Sequence, residues 1–315
     1  MLQYYGFTSC GFNNGRKGTT EKFDDTANTQ TPRTDATPRN RLAGYSFNSY
    51  GFTTCGTTGS ATGLTERFDD TANTQTGRLA ATARTYLAGY SFNNYGFSTC
   101  VYIGVSGTGT TERFDDTANT QTGRLAATAR YQLAGYAFNN YGFSTCGTTN
   151  GSNAFGTTER FDDTANTQTG RTVATARYGL AGYAFNNYGF STCGYIPNNV
   201  TGTTERFDDT ANTQTGRTAA TARDYLTGYA FTNYGFSSCG ETPLTTGLTE
   251  RFDDTANSHT TRAAATARYE LAGYSTNLPS SGRGGPTKLS ISIVRRHRVS
   301  KNTKMMNISK RFITG

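Results

Sequence analysis

Paired carboxylates recur along this 315-residue chain, at Asp24-Asp25, Asp69-Asp70, Asp115-Asp116, Asp162-Asp163, Asp208-Asp209 and Asp253-Asp254. Neighbouring carboxylates can ligate Ca²⁺ or share acid and base roles. Aspartate in an Asp-Asp-Thr-Ala-Asn stretch can also hold backbone N–H groups in a turn. A catalytic pair is needed once, so the identity of all the pairs favours the turn. Arginines recur too, at Arg39, Arg84, Arg130, Arg177, Arg223 and Arg268. Each stands beside a dipeptide that varies: Asn40-Arg41, Thr85-Tyr86, Tyr131-Gln132, Tyr178-Gly179, Asp224-Tyr225 and Tyr269-Glu270. Brought into a ring, the arginines could hold an anion or acidic peptide, with Tyr86, Tyr131, Tyr178, Tyr225 and Tyr269 as stacking surface and Arg41 free to join. The competing expectation is that each arginine pairs with a recurring glutamate such as Glu66 or Glu112. Asp224, Glu241 and Glu270 are, with Asp35, the acids outside repeated positions. A hydrolase or lyase would draw on these three.

Other chemistries lack their residues. His259 and His297 are the only histidines. There is no Ser-His-Asp set that stands apart, no phosphate-binding Gly loop with its Lys, and no zinc spacing. No metal or cofactor is expected. The cysteines Cys10, Cys55, Cys100, Cys146, Cys193 and Cys239 are equivalent positions too far apart to bridge, and read as reduced, buried apolar groups.

These residues recur because the chain repeats. Near-copies of Glu66-Arg67-Phe68-Asp69-Asp70-Thr71-Ala72-Asn73-Thr74-Gln75-Thr76-Gly77-Arg78 begin at Glu21, Glu112, Glu159, Glu205 and Glu250, a period of 45 to 47 residues. Within one period, Tyr86–Phe92 and Tyr95–Cys100 flank Asn93-Asn94, which reads as a hairpin because Asn tolerates the positive φ of a type I′ turn. A variable Gly/Thr-rich loop follows, then a strand over 111–114, an Asp/Asn turn and a short strand over 120–124. Helical spacing is absent, and the Leu-Ala-Ala-Thr-Ala-Arg runs are too short to form a helix alone. Four short antiparallel strands per period make a β-propeller blade.

The order of strand, hairpin, strand ending in Cys-Gly, loop, Glu-x-Phe-Asp, turn and Asn-Thr-Gln-Thr resembles the kelch repeat over residues 1–276. Cys stands in place of that family's first glycine, Val101 once in place of the second, and Gln30, Gln75, Gln121, Gln168, Gln214 and His259 in place of its tryptophan. The strands make the chain an all-β propeller, and six of each strand type make it six-bladed. Tyr5–Cys10 starts in mid-blade and Leu271–Tyr274 is an orphan first strand, so N-terminal strands are expected to close the ring by pairing with the C-terminal first strand. Strand alternation then puts loops 11–20, 56–65, 101–111, 147–158, 194–204 and 240–249 on one face with the variable dipeptides. The nearly constant turns occupy the other face.

The formal charge of +8 is uneven. Residues 277–315 hold nine Lys or Arg and no acid, leaving 21 basic and 22 acidic groups elsewhere. Residues 277–315 read as a linker and a basic, disordered tail, which supplies the alternative of a contact with nucleic acid or an anionic surface. The near-neutral body argues against nucleic acid as the main partner. No leader and no apolar run long enough to span a membrane is visible, and an intracellular monomer is expected. The function expected is non-enzymatic binding of a protein or glycan on the variable loop face.

Overall fold

The computed structural model describes residues 3–103, 106–231 and 233–278. They form six four-stranded antiparallel blades, with no helix among the described residues. Blade 2 shows the pattern: Ala43–Phe47, Tyr50–Thr54, Thr65–Asp69 and Thr74–Arg78 pair in that order from the axis outward. Asn48 and Ser49 both have positive φ, 51° and 66°, as the hairpin between the inner strands requires. Asp69 accepts hydrogen bonds from the N–H groups of Thr71 (2.9 Å) and Ala72 (3.1 Å), and so builds the outer turn. Four of the five residues of Tyr50–Thr54 are buried, whereas the outermost strand is largely exposed.

In blade 2 the second strand stops at Thr54, one residue short of the cysteine, where Cys55 is left-handed (φ 61°) and Gly56 follows with φ 101°. Its Sγ donates back to the carbonyl of Thr82 (3.5 Å) in the linker leaving the blade. All six cysteines are free, buried and left-handed. In blade 3, where Val101 replaces glycine, the strand runs on over Tyr95–Ile103 against Ser106–Asp115.

Blades lock by a tyrosine set against a glycine. A Cβ on Gly51 would fall 2.0 Å from Tyr274 Cε2, and one on Gly96 would fall 2.1 Å from Tyr45 Cε2. Only glycine admits so close a ring. Phenylalanines add edge contacts between blades, as in Phe52 with Phe114 at 5.5 Å between centroids. Gln75, at the position where the resemblance placed tryptophan, joins blades by a different means. It donates Nε2 to the carbonyl of Thr34 (3.2 Å) in the preceding linker.

Blade 1 has the order Ala272–Leu278, Gln3–Ser9, Thr20–Asp24, Thr29–Arg33, with Ser9 opposite Ala272 and Gln3 opposite Leu278. The tyrosine–glycine contact continues on both sides of it, through Tyr229 against Gly6 and Tyr274 against Gly51. The last strand reaches Leu278, two residues beyond the boundary expected at 276, and the rest of the basic segment, 279–315, lies outside the described residues.

Candidate functional site

The recurring arginines sit in the linkers between blades, and their side chains turn inward. Arg39, Arg84, Arg177, Arg223 and Arg268 are 0% exposed and Arg130 is 1% exposed. Each pairs with a recurring glutamate: Arg39 with Glu66, Arg84 with Glu112, Arg130 with Glu159, Arg177 with Glu205, Arg223 with Glu250 and Arg268 with Glu21. Arg130 Nη2 also donates to Ser144 O (3.1 Å) and Oγ (2.7 Å), while Glu159 accepts from the N–H and hydroxyl of Thr128. These further hydrogen bonds support the buried ion pairs, while the Nε of each of the six arginines is buried without a partner. The anion site expected of these six residues is therefore corrected: they bind linker to blade and present no surface to a ligand.

The aspartate pairs divide their work. The first member caps the turn. The second is gripped by two cations of the preceding blade, as Asp116 is by Arg67 Nη1 (3.1 Å) and Arg78 Nε (2.8 Å). The grip closes the ring where Arg251 and Arg262 of blade 6 hold Asp25 of blade 1. Sequence reading missed this use of the second aspartate. Its signal was a pair of arginines on adjacent strands recurring at the same period. Among the described residues, no group of three His, Cys, Asp or Glu side chains is arranged to hold a metal ion.

The non-repeated side chains gather at the mouth of the axial channel on the variable face. Arg41, Tyr86, Gln132, Gly179, Tyr225 and Glu270 are all left-handed, with φ between 51° and 65°. Each N–H donates to the carbonyl of its neighbour on the ring. Tyr86 donates to Arg41 (2.9 Å), Gln132 to Tyr86 (3.1 Å), Gly179 to Gln132 (2.8 Å), Tyr225 to Gly179 (2.7 Å), Glu270 to Tyr225 (2.9 Å) and Arg41 to Glu270 (2.9 Å). A left-handed L-residue costs roughly 1–2 kcal/mol, and the closed cycle of hydrogen bonds offsets it. The backbone here is six-fold, while its side chains are an arginine, two tyrosines, a glutamine, a glycine and a glutamate.

A second tier surrounds this ring. The first residue of each variable dipeptide bridges, antiparallel, to the residue two after a cysteine: Asn40 to Thr57, Thr85 to Tyr102, Tyr131 to Thr148, Tyr178 to Tyr195, Asp224 to Glu241 and Tyr269 to Phe12. Tyr102 and Tyr195 were missed in the sequence, although they stand at a fixed offset where the repeat varies. Arg41, Tyr86, Tyr102, Tyr131, Gln132, Gly151, Tyr178 and Tyr225 enclose a cavity of about 300 Å³. Of the expected ligand residues, Arg41, Tyr86, Tyr131, Tyr178 and Tyr225 thus meet. Tyr269 stands to one side against Phe12 (5.6 Å) and Tyr225 (6.4 Å). Tyr102 lies edge-on to Tyr131 at 4.9 Å. Gln132 Nε2 donates to Tyr225 Oη (3.1 Å), leaving its own Oε1 buried without a partner.

Charge at the mouth is lopsided. Arg41 Nε pairs with Glu270 (3.0 Å), and the guanidinium carbon lies 4.5 Å from the centre of the Tyr86 ring. Asn40 Nδ2 donates to the same Glu270 (2.5 Å). Asp224 and Glu241, the other non-repeated acids, face each other across their bridge. Burial first, then the Glu241 carboxylate and more weakly Glu270, push the Asp224 carboxyl up to about 7 against the help of its own backbone N–H. Burial and Glu270 also raise Glu241.

The chain is similar to a solved structure titled "Structure of YjhT", with a TM-score of 0.66 and 9% sequence identity over 81% of this chain and 96% of that one. At that identity the likeness shows the fold. No protein-family model matches the sequence, and no curated protein matches it.

Proposed function

We propose that this protein is a non-enzymatic, kelch-like binding propeller that works as a monomer and takes a protein or glycan partner at the mouth of its channel. One observation carries the reading. The repeated charged side chains are used in inter-blade ion pairs and turn caps, whereas the six-fold backbone ring carries side chains that differ around a tyrosine-lined cavity. A constant frame with variable residues gathered on one face, several of them around one cavity, is suited to recognition.

Gly179 provides the test. Its five ring counterparts hold side chains at the same left-handed φ, and a Cβ at Gly179 would meet Tyr225 N at 3.4 Å, Tyr225 Cδ1 at 3.5 Å and Asp224 Cβ at 3.6 Å, so Gly179→Gln finds room and sets a side chain at the mouth beside Tyr225 and Asp224. Wild-type protein and this variant are applied to arrays of immobilised peptides and glycans. The variant is expected to fold with a loss of stability no larger than the ~1–2 kcal/mol of one left-handed L-residue and to lose the array signal. Equal signal from both proteins places binding elsewhere and refutes the reading.

A second reading, a hydrolase or lyase, is favoured by the meeting of Asp224 with Glu241. A carboxyl held near neutrality beside a second carboxylate is suited to general acid–base work. Turnover of a bound ligand that disappears in Asp224→Asn supports this reading, and binding without any turnover argues against it.

A further inference from the structure

The sequence led to an expected anion site. The charges left at the mouth have the opposite sign. Arg41 is the one ring cation and is paired with Glu270. Asp224 and Glu241 have no ion-pair partner among the described residues, and the six recurring arginines and glutamates neutralise one another below. Asp224 is only 7% exposed, and no donor other than its own backbone N–H reaches its carboxylate among the described residues. The fold does not require acids there. The same bridge is made by Asn40 with Thr57, Tyr131 with Thr148 and Tyr178 with Tyr195, all uncharged.

The surroundings of these acids are aromatic. Burial first raises the phenols of Tyr178, Tyr225 and Tyr269, and nearby charge adds to it: Asp224 for Tyr225, Tyr195 and then Asp224 for Tyr178, and Glu241 for Tyr269. The ring supplies its own precedent for such a setting, since Arg41 rests on the Tyr86 face with its Nε on Glu270. The neighbouring sector repeats the ingredients, tyrosine faces and carboxylates, with the cation missing. The partnerless Oε1 of Gln132 is a further acceptor in the cavity. A site with surplus acceptors and aromatic faces fits a ligand that brings N–H donors and positive charge.

We propose that the mouth selects an alkylammonium group, as on a lysine side chain, seated against the tyrosine faces with Asp224 and Glu241 as its counter-ions. This inference rests on the mouth being the binding site, and the experiment separates the two claims. The full chain is titrated with N-acetyl-lysine amide, its uncharged isostere N-acetyl-norleucine amide and the anionic N-acetyl-glutamate amide, read by tyrosine fluorescence. The lysine probe should saturate with a Kd of about 1 mM, roughly tenfold tighter than norleucine. Asp224→Asn/Glu241→Gln, which preserves shape, should weaken lysine about tenfold and leave norleucine unchanged. Gly179→Gln should remove both.

Equal affinity for lysine and norleucine, a preference for the glutamate probe, or no saturation by lysine overturns the cation assignment. If glutamate or norleucine binds and is lost in Gly179→Gln, the mouth stands as the site while its sign is wrong. If lysine binding survives Gly179→Gln, both claims fall.

Discussion

Arg41 and Glu270 are 229 positions apart in sequence and joined twice in the fold. The N–H of Arg41 donates to the carbonyl of Glu270 at 2.9 Å, and its Nε donates to the carboxylate at 3.0 Å. The first bond closes the backbone ring at the mouth, and the second cancels the mouth's one ring cation.

Glu270→Gln breaks the charge pair and keeps the backbone bond. The Arg41 side chain is 40% exposed, so the loss of stability should be small, ~0–1 kcal/mol in urea unfolding. The effect on recognition should be larger. Arg41 becomes uncompensated, the lysine probe should weaken, and the glutamate probe should gain by severalfold. An unchanged ratio between the two probes refutes this.

Arg130→Met tests the buried arginines. It leaves Glu159 inside without its cation, and stranding one charge of a buried pair in this way costs ~3–5 kcal/mol. Replacing both partners with apolar residues should recover part of it. Urea unfolding of the single and double variants makes the comparison, and a cost under ~1 kcal/mol for the single change would place Arg130 at the surface.

Gly96→Ala tests the lock between blades. The new Cβ would stand 2.1 Å from Tyr45 Cε2, so the ring must move and the blades must part slightly. Overpacking of this kind costs ~1–3 kcal/mol. Combined with Tyr45→Leu, the two changes should couple by ~0.5 kcal/mol or more, because they share one contact. Simple additivity of the measured unfolding energies contradicts the lock.

Much of this was legible in the sequence. Strict repetition announced blades, Asn93-Asn94 announced the hairpin, and strand alternation assigned the variable loops to one face. The direction of a side chain was not legible. Arg84 and Arg41 are both linker arginines, yet Arg84 is buried against Glu112 while Arg41 lies at the rim. Both meet a glutamate, Glu112 for Arg84 and Glu270 for Arg41, but the Arg84 side chain is fully buried in doing so while that of Arg41 stays 40% exposed, which spacing alone does not report. The left-handed ring was also hidden. Tyr86 and Gln132 adopt a conformation that their types do not favour, and only the closed hydrogen-bond cycle sustains it. Gly179 was the single hint, a glycine among unlike residues at one repeat position.

Asp224 sets a pH dependence with a definite sign. Its carboxyl is raised from the ordinary 3.8 to about 7 in the fold, so between those values the folded chain holds a proton that the unfolded chain has released. Its contribution to stability therefore falls as pH rises from 4 to 7 and is level above. Asp224→Asn should flatten that part of the profile and raise stability at pH 8 by ~1–2 kcal/mol, after allowance for solvent at the open mouth. Thermal melts across that range decide it, and a variant less stable at pH 8 contradicts it.

The most direct measurement sets binding against stability in one variant, Asp224→Asn/Glu241→Gln. Thermal melting and titration with N-acetyl-lysine amide are carried out on the same samples at pH 8. The account predicts an unchanged or higher melting temperature together with about tenfold weaker binding of the probe, because these acids serve recognition and strain the fold. A lower melting temperature with undiminished binding would show instead that they hold the structure together.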